Sequence, residues 1–367
     1  MSHSAAAVAI NGRFLTQRIT GVQRFAAEVT GALDRMAAEG ACAPARLLVP
    51  AGTDASAFPN LAVERFGRFN GQVWEQAELP ARAGRSMLVS LGNTAPLLAG
   101  GRQAVVIHDA GAFDTPESYS AAFRAWYRGL QRALPRCGAR LLTVSEFSRG
   151  RIARRLLVDP GRIGVLPEGG EHILREPADT AILARHGLEP GRFALVVGTR
   201  AAHKGLDGLA EAAALLAAEG MRLAVAGAAD PEVFRGAADP SGGAVVALGR
   251  VTDAELRGLY EAALCLLFPS RYEGFGLPPL EAMACGCPVL AAASGAVPEV
   301  CGDAALWFDA DERGSRRPGD TLMRLLREPG LAADLRRRGF ARAACYSWRE
   351  AAERLLALLP APGRSAP

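Results

Sequence analysis

The chain has 367 residues, of which 50% are hydrophobic and 22% charged, so it is long and apolar enough to bury the cores of two globular domains. Its net charge of +4 is small, and the sequence has no basic-aromatic motif, so we do not expect it to bind nucleic acid. The first residues lack a signal peptide's basic start and apolar stretch, and no uncharged apolar run reaches the roughly 18 residues of a membrane span, so we expect a cytoplasmic protein.

Short apolar runs alternate with segments of helical periodicity along the chain, a pattern typical of parallel sheets flanked by helices. In the first half, strands are predicted at 6–10, 46–49, 87–90, 104–107, 141–144 and 162–166. In the second half, they are predicted at 193–197, 222–226, 244–248, 265–268, 289–292 and 305–308. The sequence therefore predicts an α/β protein with two doubly wound, Rossmann-like domains.

The domain boundary is predicted between 171 and 191, where Pro177, Pro190 and Gly191 interrupt a short helix. We assign residues 1–176 to the first domain and 177–346 to the second. Residues 347–367 contain an amphipathic helix after the break at Tyr346-Ser347.

The loop after the first strand leads into a helix at Gly21. Apolar residues then recur every three or four positions, which predicts an amphipathic helix; they are Val22, Phe25, Val29, Leu33 and Met36. A helix start at the carboxyl edge of a parallel sheet is a position for an anion or another ligand. A plain helix start is an equally good interpretation of this motif alone.

His108 and Asp109 follow the strand at 104–107, again at a carboxyl edge. An isolated histidine there is more often a packed core residue than a catalytic one. Asp109 is a candidate to orient the histidine or to bind an acceptor.

The first half of the chain is the basic half. Residues 1–176 have a net charge of +6, and residues 177–367 have a net charge of −2. The densest basic patch is predicted on one helix that Ser145 caps, with Arg149, Arg151, Arg154 and Arg155. Such a patch favours an anionic membrane surface or a diphosphate-lipid acceptor, and a solvated arginine face is an equal alternative on charge alone.

Lys204 is the only lysine among 42 basic residues, and it follows the strand at 193–197. A lone lysine at a strand-to-helix turn indicates a need for a compact ammonium group, although a solvated surface lysine is the usual interpretation. Arg200 lies in the same turn.

Glu273 and Glu281 lie eight positions apart around a turn rich in glycine and proline. Gly274 and Gly276 allow backbone amides to approach a ligand, and Phe275 and Leu277 can form walls of the same turn. A helix that begins near Pro278 would place Glu281 in its first turn, where a carboxylate can accept two vicinal ribose hydroxyls. Glu273 is predicted to stay on the loop.

The segment 271–299, RYEGFGLPPLEAMACGCPVLAAASGAVPE, resembles the E-x7-E signature of glycosyltransferase family 4. That family contains retaining enzymes with the GT-B fold, in which two Rossmann-like domains face each other across the active-site cleft. The resemblance implies that Glu273 faces the donor sugar and Glu281 the nucleotide ribose. It also implies that the C-terminal helix returns to the first domain.

The resemblance implies roles for the other candidates as well. His108, Glu273 and Lys204 would be catalytic, and Arg200 and Lys204 would neutralise the donor diphosphate. The complete implied donor site consists of Gly21, Arg200, Lys204, Gly274, Phe275, Gly276, Leu277 and Glu281. Loss of Lys204 or Glu281 is predicted to abolish most transfer while the fold survives.

Two further features enter this interpretation. Pro167-Glu168-Gly169-Gly170 stands where many family members have Pro-Asn-Gly-Val, a departure for which we expect little catalytic consequence. The sequence has no Asp-x-Asp motif and no CxxC pair, so we expect no metal and no cofactor, and we interpret the seven cysteines as buried reduced thiols.

We therefore expect a hexosyltransferase that uses a nucleoside diphosphate sugar and a glycan acceptor, in the cytoplasm or peripheral at the cytoplasmic face of the membrane. The segment from Asn11 to Arg24 resembles bacterial mannosyltransferases of polysaccharide synthesis, so GDP-mannose is the first choice of donor. UDP-glucose and dTDP-rhamnose stay open. The alternatives are a GT-B epimerase and a nucleotide-sugar-binding scaffold without activity, against which the joint presence of His108, Lys204, Glu273 and Glu281 argues.

Overall fold

The structure is a computed structural model that describes residues 8–198, 205, 209–227, 244–309 and 317–360. It divides into two compact units. The first unit comprises the chain up to Glu168 together with the chain from Trp348 onward, and the second comprises Gly169–Ser347.

The first unit is built on a seven-stranded sheet whose strands are all parallel, in the order β3-β2-β1-β4-β5-β6-β7. The strands are β1 (Val8–Asn11), β2 (Arg46–Pro50), β3 (Ala62–Phe66), β4 (Met87–Ser90), β5 (Gln103–Val106), β6 (Arg140–Thr143) and β7 (Ile163–Val165). Strand residues on both faces of the sheet are buried, as in a doubly wound domain: Leu88 and Val105 lie on one face, and Val89 and Val106 lie on the other.

The helices of this unit connect successive strands. They are α1 (Gly21–Ala38), α2 (Gly71–Val73), a π-helical segment (Trp74–Glu78), α3 (Leu79–Ala83), α4 (Gly111–Asp114), α5 (Ala121–Arg136) and α6 (Glu146–Leu156). The predicted apolar stripe of α1 faces the core, since Phe25, Val29 and Leu33 are buried. Ser145 caps α6 as predicted, because its hydroxyl accepts from the Ser148 N–H at 3.0 Å.

The second unit has a six-stranded parallel sheet in the order β10-β9-β8-β11-β12-β13. The strands are β8 (Phe193–Val197), β9 (Arg222–Ala226), β10 (Val245–Gly249), β11 (Cys265–Phe268), β12 (Val289–Ala292) and β13 (Ala305–Phe308). Alternate residues of β8 belong to two different apolar clusters, with Phe193 and Leu195 on one face of the sheet and Ala194 and Val196 on the other. Both faces of this sheet are therefore covered.

The helices of the second unit include the short helix near its start. They are α7 (Ala181–Arg185), α8 (Ala210–Ala218), α9 (Asp253–Ala262), α10 (Leu277–Ala284), α11 (Val297–Cys301), α12 (Pro318–Arg327) and α13 (Leu331–Ala343).

The predicted strands agree with the observed ones to within one or two residues, and the predicted α/β class is confirmed. Strand β3, which pairs with β2 at the edge of the first sheet, was not predicted. This strand contains Glu64 and Arg65 and is largely accessible, so it lacks the apolar run of the other strands.

The division between the units follows Glu168, eight residues before the boundary expected after residue 176. The difference arises because the residues after Gly169 already belong to the second core. Ile173, Ile182 and Leu183 are buried there with the strands of the second sheet. Proline and glycine between 177 and 191 mark turns within the second unit and not its start.

The last described helix, α14 (Trp348–Leu358), belongs to the first unit. Trp348 is fully buried and meets Phe25 of α1 with ring centroids 5.9 Å apart. Arg349 pairs with Glu39 beyond the end of α1 at 2.6 Å, and Arg140 donates to the Leu358 oxygen at 2.7 Å. The chain therefore returns to its first unit after completing the second.

Among the helices of the described residues, none combines the length and the apolar character that crossing a membrane requires.

Replacing Trp348 with alanine should destabilise the first unit by about 3–5 kcal/mol, because it removes the largest fully buried side chain that joins α14 to α1. The measurement is urea unfolding followed by circular dichroism. Arg349→Ala is the matched control, since it removes an exposed ion pair from the same helix and should have a far smaller effect. Equal effects of the two substitutions would contradict this account of how α14 is held.

Candidate active site

His108 follows β5 at the carboxyl edge of the first sheet and is 4% exposed. Its backbone N–H donates to Asn93 Oδ1 at 2.7 Å, and its ring packs edge to face with Phe25 at 4.8 Å. Its Nε2 lies 3.0 Å from the backbone oxygen of Leu91. The histidine is therefore fixed in position by its backbone, its ring face and one ring nitrogen.

The other ring nitrogen of His108 faces a carboxylate that the sequence analysis left out of the site. Glu168 Oε1 lies 3.6 Å from His108 Nδ1, and both side chains are buried. Both ring nitrogens thus face protein acceptors, so the ring can meet a ligand hydroxyl only if one of these contacts opens. Glu168 thus lies beside His108, and the expectation that its departure from the family pattern has little catalytic consequence stays a prediction.

Asp109 was one candidate to orient His108. In the structure its Oδ1 accepts from the backbone N–H of Gly111 at 2.6 Å, which closes the turn before α4. Asp109 also lines a pocket, which agrees better with its alternative role toward an acceptor.

A pocket of about 390 Å³ lies at the carboxyl edge of the first sheet. Its walls come from the loops after β1, β4 and β5 and from one face of α5. Tyr119, Phe123 and Tyr127 form a continuous stack there, with successive ring centroids 5.1 and 3.9 Å apart. The polar residues of the pocket are Gln17, Arg18, Thr20, Gln23, Asn93, Asp109 and Gln131. We call this the carboxyl-edge pocket.

Gly21 is the first residue of α1 and is exposed. Its neighbours Thr20, Val22 and Gln23 line the carboxyl-edge pocket, whereas Gly21 is absent from the lining. Apart from its chain neighbours and the backbone of its own helix, no atom of the described residues lies within 4 Å of the place where a Cβ at 21 would stand, so packing does not demand a glycine here. Its role toward a donor phosphate stays a prediction.

A buried polar network holds the ends of β1 and β4 together. Asn11 donates to Glu75 Oε1 at 2.7 Å and to Ser90 at 3.1 Å, and Arg13 donates to the same Glu75 oxygen at 3.0 Å and to Thr94 at 2.7 Å. Glu75 comes from the π-helical segment, which is a structure often found at functional sites. The network fixes the start of the loop that lines the carboxyl-edge pocket.

In the second unit, Glu273 lies on the loop between β11 and α10, as predicted. Its backbone oxygen accepts from the Ala296 N–H at 3.1 Å. Gly295 approaches the same backbone so closely that a Cβ there would lie 2.7 Å from Glu273 N and O, and its φ is +61°. Only glycine is tolerated at 295, and the glycine-containing turn thereby fixes the backbone of Glu273.

Glu281 lies in the second turn of α10, because the helix begins at Leu277; the prediction of the first turn was wrong. The side chain is buried, with 6% of the residue exposed. His172 Nε2 lies 3.0 Å from Oε1, and the Tyr260 hydroxyl donates to Oε2 at 3.0 Å. Burial and then the Glu281 charge raise the pKa of Tyr260 well above its ordinary value, so the hydroxyl stays protonated and keeps donating.

The loop before α10 is held in place by the buried side chains of two of its residues. Phe275 and Leu277 are buried, and the Phe275 ring meets Tyr346 edge to face at 5.7 Å. Their side chains thus anchor the loop in the second unit and do not form open walls. Gly274 and Gly276 are buried as well, and Gly276 occupies the N-cap position with a φ of +106°.

The helix start limits which backbone amides a ligand can reach. Pro278 and Pro279 have no N–H, so the donors at the start of α10 come from the residues before them. Within the described part of the chain, the N–H groups of Phe275, Gly276 and Leu277 have no hydrogen-bond acceptor. These are the amides through which this loop can bind an anion.

Arg200 and Lys204 lie outside the described residues, so their assignment to the diphosphate stays a prediction. Gly205, directly after Lys204, is described and buried.

All seven cysteines are free thiols, and four are buried. Burial raises the pKa of Cys265, Cys285 and Cys301 to about 12 and that of Cys287 well above its usual range, so these thiols are unreactive. The expectation of buried thiols is wrong for three: Cys42 is partly accessible, and Cys137 and Cys345 are exposed. In the described parts of the chain, no three His, Cys, Asp or Glu side chains are grouped as ligands of a metal ion.

Comparison with known proteins identifies the family. The family described as "Glycosyl transferases group 1" matches residues 180–342, which lie within the second unit. The O-antigen chain mannosyltransferase B of Escherichia coli is 34% identical over 262 residues, which cover 67% of this chain and 67% of that protein. The chain belongs to the group 1 glycosyltransferases. As a member, it is an enzyme of the glycosyltransferase class.

Other relatives extend this picture. A D-inositol 3-phosphate glycosyltransferase of Segniliparus rotundus is 32% identical over 229 residues, which are 59% of this chain. The matched part spans about half the length of that relative. The crystal structure of WaaG, a glycosyltransferase involved in lipopolysaccharide biosynthesis, superposes with a TM-score of 0.70 at 19% identity and covers 95% of this chain and 98% of its own. The expected GT-B fold is confirmed.

Glu168 and His172 were not predicted as site residues, because the residues that they contact are distant in the chain. Glu168 is 60 positions from His108, and His172 is 109 positions from Glu281. The aromatic stack has a visible signal, since Tyr119, Phe123 and Tyr127 recur every four residues.

Glu281→Gln should destabilise the glycosyltransferase by about 1–3 kcal/mol, because an amide offers one acceptor oxygen to two buried donors. Urea unfolding of the purified protein measures this. The exposed Glu328→Gln is the control and should leave the midpoint unchanged. The expectation that the fold survives Glu281→Ala stays a prediction, because a loss of this size need not unfold the protein, and an unchanged unfolding midpoint for Glu281→Gln would contradict the buried network.

Glu168→Gln should lower kcat of transfer about tenfold, because it removes the charge that faces His108 while keeping the side-chain volume. Initial rates at saturating donor and acceptor measure kcat, and thermal unfolding checks the fold. Glu117→Gln, an exposed change in the same unit, should keep the wild-type rate. A full rate in Glu168→Gln together with a lower melting temperature would assign Glu168 a structural role only.

Proposed function

We propose that this glycosyltransferase moves a hexose, with retention of configuration, from a nucleoside diphosphate sugar to a hydroxyl of a glycan on a lipid-linked polysaccharide precursor. Mannose from GDP-mannose is the first choice, and the name of the Escherichia coli relative supports a mannosyl donor. UDP-glucose and dTDP-rhamnose remain the other donors considered. The observation that carries the proposal is the pair Glu273 and Glu281 on one loop and helix of a chain in this family.

Glu281 is suited to bind a ribose. A carboxylate has about four lone-pair positions, and His172 and Tyr260 use two of them. The remaining two can accept vicinal hydroxyls, and the buried partners keep the carboxylate from rotating. We assign Glu273 to the donor sugar, since its backbone is fixed by Gly295 and Ala296.

Departure of the diphosphate is the demanding step of the proposed reaction, because negative charge develops on the leaving oxygen. We assign Arg200, Lys204 and the amides of Phe275, Gly276 and Leu277 to that charge, where fixed donors stabilise it more than reorienting water does. The acceptor hydroxyl would attack from the face that the diphosphate leaves, and the leaving phosphate would take its proton. The proposal requires no metal ion and no cofactor.

The carboxyl-edge pocket is the proposed acceptor site. Its aromatic stack offers a flat apolar surface to the C–H face of a sugar, and amide and hydroxyl groups surround it. Arg18 and Asp109 are the charged residues of its lining and have opposite signs. This balance favours an uncharged sugar as the acceptor residue that reacts.

A phosphorylated acceptor is the second candidate, because one relative is a D-inositol 3-phosphate glycosyltransferase. Arg18 is the cation of the carboxyl-edge pocket that would meet such a phosphate. An epimerase or an inactive binding scaffold fits less well, since the relatives compared above are named as transferases. Contact with an anionic membrane surface is also part of the proposal and is supported by the basic first half of the chain.

The test is nucleotide binding and transfer by the purified protein in the presence of EDTA. One nucleotide among GDP, UDP, dTDP and ADP should raise the melting temperature, because a ligand at about 100 times its Kd adds roughly 2.7 kcal/mol. Its sugar should then be transferred to a glycan acceptor, and Lys204→Ala should lower the rate about 100- to 1,000-fold.

Lys204→Arg serves as the charge-matched variant and should bind the donor better than Lys204→Ala. Nearly wild-type turnover in Lys204→Ala would overturn the assignment of the diphosphate site. A thermal shift without transfer to any acceptor would instead support the scaffold.

A further inference from the structure

A second cavity, of about 410 Å³, lies between α5 and α6 in the first unit. Five of its eight lining residues are arginines, and none is acidic. They are Arg128, Arg132 and Arg136 of α5 and Arg154 and Arg155 of α6, with Phe113, Leu156 and Leu157 as the apolar part. We call this the arginine cavity.

The arginine cavity is only partly neutralised. Arg155 pairs with Asp114 at 2.6 Å, and the same carboxylate also pairs with Arg151 at 2.7 Å. Arg154 has no hydrogen-bond or ion-pair partner among the residues that the structure describes. Arg132 stacks over the Phe113 ring at 5.2 Å and likewise faces no carboxylate in that part of the chain.

The charge on α5 is costly for the helix itself. Its sequence, AAFRAWYRGLQRALPR, has arginine at every fourth position from 124 to 136 and no acidic residue. Like charges four residues apart repel along one face of a helix and destabilise it by about 0.2–0.5 kcal/mol per pair. A bound anion would relieve this repulsion.

The rim of the cavity is apolar and exposed. Leu157 ends α6 with a φ of +57° and is 86% exposed. Glycine is the usual residue in this left-handed conformation, and a leucine there is strained. Burial of the exposed Leu157 side chain does not offset this strain. An apolar contact with a ligand would give this leucine a partner.

The arginine cavity is separate from the carboxyl-edge pocket. Helix α5 runs from the loop after β5 to the start of β6, and α6 runs from the end of β6 to the start of β7. The two cavities share no lining residue. On α5, Phe123, Tyr127 and Gln131 line the carboxyl-edge pocket, whereas Arg128, Arg132 and Arg136 line the arginine cavity.

We infer that the arginine cavity binds the phosphate group of an amphiphilic anion, with Arg132 and Arg154 as the principal phosphate ligands and Phe113 and Leu157 against its apolar part. Guanidinium groups bind phosphate oxygens in pairs, and a cavity of this volume admits a phosphate with part of what it is attached to. The phosphate can belong to a lipid headgroup in a bilayer or to a soluble phosphate ester. The inference does not depend on which sugar the enzyme transfers.

The test compares Arg132→Gln/Arg154→Gln with Arg35→Gln/Arg102→Gln, a pair of exposed arginines of the same unit outside the cavity. One arm measures flotation of the full chain with phosphatidylglycerol-containing vesicles and with phosphatidylcholine vesicles. The other arm measures binding of hexyl phosphate by calorimetry. Circular dichroism verifies that both double variants melt like the wild type.

We expect the cavity variant to weaken binding at least tenfold in one arm, while the control pair stays within twofold of wild type. Loss in the vesicle arm alone identifies a lipid headgroup, and loss with hexyl phosphate alone identifies a soluble ester. Vesicle or hexyl phosphate binding supports the inference only where the cavity variant loses it, because the proposed donor site also binds phosphates. Equal binding by the two double variants in both arms, or no binding by wild type in either arm, would overturn the inference.

Discussion

Every strand in both sheets is parallel to its neighbours, and this constraint determines where the candidate residues lie. Parallel strands all end at the same edge, so each loop from a strand to a helix leaves from that edge. His108 follows β5, Glu273 follows β11, and the residues of the carboxyl-edge pocket follow β1, β4 and β5. Within each unit, residues that are far apart in the chain therefore come to the same edge of the sheet without any long structured loop.

Three buried polar groups at or near the candidate site come with their own partners. Glu281 has two donors, Glu75 accepts from Asn11 and Arg13, and His108 meets a carbonyl and a carboxylate. A buried polar group without a partner would cost about 1–3 kcal/mol, so these networks are fixed before any ligand arrives. Such fixed groups need little reorganisation during a reaction, which is how preorganised sites lower a barrier.

The sequence was sufficient for most of the fold because most strands are continuous apolar runs. Strand β3 was missed since Glu64 and Arg65 give it the pattern of a surface segment. The boundary between units was placed too late because proline and glycine mark turns, and turns occur inside a domain as well as between domains. Only the burial of Ile173 and Ile182 with the second sheet reveals the true division.

The candidate site was predictable where one short segment contains it. Glu273 and Glu281 lie within nine residues, and the glycines and prolines between them indicated a loop followed by a helix. The partners of these residues were not predictable. Tyr260 and His172 reach Glu281 through the packing of separate elements, and no local pattern records that contact.

Helix α5 shows how one segment can separate two kinds of chemistry. Phe123 and Tyr127 lie four positions apart in the helix, and arginines 124, 128, 132 and 136 recur at the same interval, one position later. Successive residues of a helix are rotated by about 100°, so the two sets lie on different faces. The aromatic face lines the carboxyl-edge pocket, and the basic face lines the arginine cavity. The arginines of α5 thus lie on a different face from a pocket whose own charges balance, so the proposed anion site and the proposed sugar site use different faces of one helix.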